Sequence, residues 1–75
     1  MTMNVNCKII DGLIPSEKVV QIEGADGRVE EIAVSAQSIK DNKFTVSEVG
    51  RRGDQVLVEL PRESASGSWR MWVKA

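Results

Sequence analysis

The stretch Gln55-Val56-Leu57-Val58-Glu59-Leu60-Pro61 (QVLVELP, residues 55–61) decides the fold class of this chain. Side chains of an extended strand alternate between its two faces. Val56, Val58 and Leu60 therefore share one face, and Gln55, Leu57 and Glu59 share the other. Pro61 cannot donate to a ladder, so it ends the strand or holds it at an edge. A polar loop, RESASG (62–67), follows, and SWRMWVK (68–74) then repeats the design. Trp69, Met71 and Val73 form its more apolar face, which is expected to point inward. Arg70, Trp72 and Lys74 form the other. Paired as a hairpin, the two strands leave Leu57 and Trp72 among Arg70, Lys74, Gln55 and Glu59.

Working outward, the same two-residue period recurs and no sustained helical stripe does. MNVNCKI (3–9) directs Met3, Val5, Cys7 and Ile9 inward. DGLIPSE (11–17) breaks the pattern with Gly12 and Pro15, and KVVQIE (18–23) resumes it with Val20 and Ile22. GADG (24–27) supplies the positive-φ position a tight hairpin needs, and RVEEIAVS (28–35) returns. The apolar phase slips from Val29 to Ile32 and Val34, so a bulge near Glu30 and Glu31, or a change of packing face, is expected. AQSIKDN (36–42) is the one place for a short helical turn, capped by Ser35 and with Ile39 plugging one end; an irregular loop is the rival reading. KFTVSEV (43–49) is a strand with Phe44 and Val46 inward, and GRRGDQ (50–55) is a glycine-bracketed turn.

These segments predict an all-β domain spanning residues 1–75: a small barrel of about five or six antiparallel strands, SH3-like in order, with an OB-like barrel or a small sandwich as alternatives. A chain of 75 residues buries only about 60–65% of its unfolded surface, so a partner or a second copy would help stabilise it. No apolar run reaches the ~20 residues a membrane helix needs. The first residues lack a basic stretch followed by an apolar one, so a cytoplasmic protein without membrane contact is expected.

Composition narrows the chemistry. Histidine and tyrosine are absent, which removes the commonest general base and the commonest zinc ligand. Cys7 is the single cysteine, in phase with apolar neighbours, and reads as a small buried hydrophobe rather than a reactive thiol. Glu30 and Glu31 are adjacent on a strand and so point to opposite faces, a poor arrangement for paired carboxylate catalysis. No nucleophile–base pair, metal-ligand spacing or phosphate loop is present, so no catalytic, metal or cofactor residues are assigned and no enzyme is expected.

The charges are unevenly spread. Residues 1–50 hold five cations and eight carboxylates, whereas 51–75 hold five and three, on a chain of net charge −1. Four of the five arginines and both tryptophans lie in that last third. A leucine and an indole amid charges on a solvent face is the pattern of a binding patch, and aromatic residues and arginine are enriched at interface hot spots. The expected function is therefore a non-catalytic binding or assembly module that meets a protein partner, or itself, through the C-terminal hairpin face. Its candidate residues are Leu57, Arg62, Arg70, Trp72, Arg51 and Arg52, with Arg62 reaching the patch from the 62–67 loop.

Two other readings remain open at this level. Trp72 and Leu57 can pack beneath the DGLIPSE loop as a satellite cluster. Alternatively, Trp72 stacks a base while Arg51, Arg52, Arg62 and Arg70 contact phosphates, although the net acidity works against that. The RGD tripeptide (52–54) and the GRRG tip (50–53) are read as turn chemistry, with an anion-binding tip as the functional alternative for the second.

Overall fold

The computed structural model describes all 75 residues. Seven strands and one 3-10 turn follow in order: β1 (Thr2–Val5), β2 (Cys7–Asp11), β3 (Glu17–Glu23), β4 (Val29–Ser35), the turn Ala36–Ser38, β5 (Phe44–Arg52), β6 (Gln55–Glu59) and β7 (Arg70–Lys74). They form two antiparallel sheets, a four-stranded one of order β1-β5-β6-β7 and a three-stranded one of order β2-β3-β4. Only Asn6 separates β1 from β2, so one extended run leaves the first sheet and enters the second. No helix is long and apolar enough to cross a membrane.

Alternation places the core. Val56, Val58 and Leu60 are buried together with Met71 and Val73 from the neighbouring strand, Phe44 and Val46 from β5, and Val5 from β1. Val20, Ile22, Ile32 and Val34 face them from the second sheet. Each such side chain contributes roughly 1.5–3 kcal/mol by leaving water. Met3, Cys7, Ile9 and Ile39 pack around the margin, as expected for the first strand and for the plug after the helical turn. Ser35 caps that turn by accepting the N–H of Gln37 at 3.3 Å.

Several expectations are corrected. The sheets do not close into a barrel: β4 and β7 are both edge strands and do not pair. Loops stitch the gap instead. The Ala65 N–H donates to the Glu31 carbonyl at 2.8 Å, and the Ala25 N–H to the Trp72 carbonyl at 2.8 Å. No bulge lies at Glu30 or Glu31, because β3 and β4 stay in register from Glu17↔Ser35 to Glu23↔Val29. Glu30 keeps the inward phase of Ile32 and Val34 and reaches the stitched gap, while Val29 faces solvent. The irregularity falls in β5 between Glu48 and Gly50.

The turn expected over 50–55 is shorter than predicted. β5 runs on to Arg52, leaving the two-residue turn Gly53–Asp54 with Gly53 at φ 61°, a region that favours glycine. Trp69 is not inward. It precedes β7 and is 54% exposed, although the Leu60 N–H still bonds its carbonyl. Lying just outside the strand, its indole stands beside Ser47, Glu59 and Arg70 while Leu60 opposite it stays buried.

Candidate functional site

The site is built on the outer face of the four-stranded sheet. Register aligns three rows across β5, β6 and β7: Arg52–Gln55–Lys74, Gly50–Leu57–Trp72, and Ser47–Glu59–Arg70. Successive rows stand about 7 Å apart, two residues of strand rise. The middle row is apolar. A Cβ at Gly50 would meet Leu57 Cβ at 3.5 Å, so the missing side chain bares the β5 side of Leu57, which like Trp72 is half-buried.

The flanking rows carry the charge. The Arg52 guanidinium lies over the Trp72 ring at 4.6 Å from its centroid, a cation–π stack. Arg70 donates to Glu59 through Nε at 3.0 Å and Nη2 at 2.9 Å, and the two charges offset one another. Arg52 and Lys74 have no carboxylate partner. A groove of about 450 Å³ continues from this face along β7, lined by Trp72, Arg52 and Arg70 and by Asp26, Arg28 and Glu30. The Asp26 and Glu30 carboxylates make it mixed in charge, unlike the Arg52–Lys74 row.

The residues selected from sequence therefore divide. Leu57, Arg52, Arg70 and Trp72 come together on one surface. Arg51 lies in the phase of Val56, on the opposite side of the strand, where it pairs with Glu48 at 3.1 Å. Arg62 does not reach the Trp72 patch; its Nη1 donates to the Ala33 carbonyl at 3.1 Å and ties the 62–67 loop to β4. The DGLIPSE loop does not cover Leu57 and Trp72. It joins β2 to β3 in the other sheet, and its Leu13 is 98% exposed.

Two features escaped the sequence reading. On the outer face of the three-stranded sheet, Ile10, Val19 and Ala33 form a second apolar row through the β2–β3–β4 register. Only the pairing register could have aligned those three residues. The other is a clasp at the β4–β7 gap. Ser64 is the one buried polar residue; its hydroxyl donates to Glu30 Oε1 at 2.7 Å and accepts the Ser68 N–H at 3.1 Å. Ser66 donates to the same carboxylate oxygen at 2.5 Å. The two hydroxyls, Ser66 foremost, hold the Glu30 carboxyl below its usual range, and Arg28 adds to the effect. The four small residues of SASG are thus a built loop whose hydroxyls satisfy an inward carboxylate.

Cys7 is half-buried, and burial pushes its thiol up, against a smaller opposing contribution from the Phe44 backbone. No three His, Cys, Asp or Glu side chains converge as a metal site would require. Comparison of the chain with family models, with curated proteins and with solved structures finds no match.

Proposed function

We propose that this chain is a non-catalytic binding module whose outer four-stranded face, centred on Leu57 and Trp72, meets a protein partner. The observation that supports this reading is the half-buried apolar row Gly50–Leu57–Trp72 on the outer face, beside two cations without carboxylate partners. An indole and a leucine held on a rigid sheet lose little side-chain entropy on docking, which is how interface anchors work. The SH3-like arrangement is kept as part of the proposal. The extended run from β1 into β2, which passes from one sheet to the other, supports it. So is the cytoplasmic setting, where a lone thiol stays reduced.

Site-specific photo-crosslinking in cells tests this reading. A photoreactive residue at position 57 is expected to yield protein adducts that one at position 19, on the other sheet's apolar row, does not. Adducts at 19 alone would move the interface to the three-stranded sheet and overturn the assignment. Adducts at 57 that disappear on nuclease treatment would install nucleic acid as the ligand. No adduct at either position would remove the binding-module reading.

A further inference from the structure

The same face specifies the chemistry of its occupant, an inference that rests on the reading above. We propose that the partner segment is acidic and apolar in alternation, with a carboxylate gripped by Arg52 and an apolar side chain seated on the Gly50–Leu57–Trp72 row.

Charge segregation is the first reason. The protein as a whole carries −1, yet the three rows hold Arg52, Lys74 and Arg70 against Glu59 alone. Arg70 and Glu59 offset each other. What remains are two unpartnered cations in one row, on either side of Gln55, next to the apolar row. A segment that places a carboxylate over the first row and an apolar side chain over the second satisfies both.

The second reason is how Arg52 is held. Its guanidinium carbon rests over the Trp72 ring, 4.6 Å from the centroid. No hydrogen bond or ion pair occupies its N–H donors, which leaves them available for the two-pronged grip of a carboxylate. Because the stack already restricts the side chain, less rotamer entropy is lost when the carboxylate arrives.

Two other occupants fit less well. A second copy docking face to face about a two-fold axis along the strands would set the Arg52–Lys74 row against itself, and about an axis along the middle row would set it against Glu59, which Arg70 already neutralises. A nucleic acid strand would supply negative charge, but its bases need an open ring. Trp72 already carries Arg52 and Phe44 is buried in the core; the exposed Trp69 lies beside the Ser47–Glu59–Arg70 row, where the one arginine is already paired with Glu59 and no free cation is left for a phosphate.

The test uses the full chain with Trp69→Phe, so that Trp72 is the sole tryptophan and its emission reports the site. It is titrated at low salt with a short capped glutamate–leucine peptide, a matching lysine–leucine peptide and a short oligothymidylate. Saturable change with the glutamate–leucine peptide alone is expected, weakened about tenfold by Arg52→Gln and several-fold by Arg52→Lys, which keeps charge but loses the fork. Circular dichroism verifies that both variants remain folded, as substitution at an exposed strand end should allow.

Absence of any response to the glutamate–leucine peptide at millimolar concentration overturns the proposal. So does equal binding by Arg52→Gln, or a stronger response to the lysine–leucine peptide or to the oligothymidylate. The crosslink at position 57 separates this failure from that of the wider reading: protein adducts there alongside a silent peptide titration would mean that the face binds protein of other chemistry.

Discussion

Ser64→Ala is expected to loosen the side of the molecule where the sheets do not pair. Ser64 is 5% exposed, and its hydroxyl both donates to the Glu30 carboxylate at 2.7 Å and accepts the Ser68 N–H at 3.1 Å. A hydrogen bond to a charged group contributes roughly 1.5–3 kcal/mol, and leaving a buried N–H without an acceptor costs about 1–3 kcal/mol. Glu30 keeps the Ser66 hydroxyl and is reached by water, so the lower ends apply and the net loss should be about 2 kcal/mol. For a domain of this size that corresponds to a fall in Tm of about 8–16 °C.

Urea unfolding followed by circular dichroism at pH 7 measures it, with Ser66→Ala, an exposed hydroxyl that water can replace, losing less. The pH dependence gives a second check. The folded Glu30 carboxyl lies below its ordinary value of 4.5. Its charge-assisted contribution is therefore complete above that value and lost as pH falls through the depressed folded one. The gap between wild type and Ser64→Ala should hold from neutral pH into mild acid and narrow below. A variant within about 0.5 kcal/mol of wild type at pH 7 would refute the clasp as a source of stability.

Three further outcomes follow from the packing. Val58→Ala removes methyl groups from a side chain with 0% exposure and should cost about 2–3 kcal/mol in urea unfolding, against less than about 1 kcal/mol for Leu57→Ala one residue away on the outer face. Gly53→Ala meets no atom within 4 Å, so its cost, about 1 kcal/mol by the same measurement, should be backbone strain alone at φ 61°. Trp72→Phe should leave the red-shifted, acrylamide-accessible emission of Trp69, which is 54% exposed, whereas Trp69→Phe should leave a bluer and better protected signal.

What the sequence determined by itself was where the extended segments lie and, for most of them, which face turns inward; the run 3–9, read as one strand in a set of five or six, is β1 and β2 of a set of seven, divided at Asn6. Val56, Val58, Leu60, Met71 and Val73 could be placed in the core from alternation alone, because period two is a local property of the extended chain. The helical turn was legible from the serine that caps a short polar segment, and the outward pairing of Leu57 with Trp72 from the loop that joins two consecutive strands.

Tertiary structure decided everything that depends on which strands meet. The slip at Glu30 looked like a bulge because a carboxylate in an inward phase has no local explanation; its explanation is Ser64 and Ser66, thirty-four and thirty-six residues away. Trp69 faces solvent because it lies just outside β7, where alternation no longer sets the direction of a side chain. Arg51 and Arg62 belonged with Arg52 by composition but were parted from it by the β5 register and by the Ala33 carbonyl. Local chemistry chose the strands and their inward faces. The closing of one sheet over the other chose which outward residues became a surface.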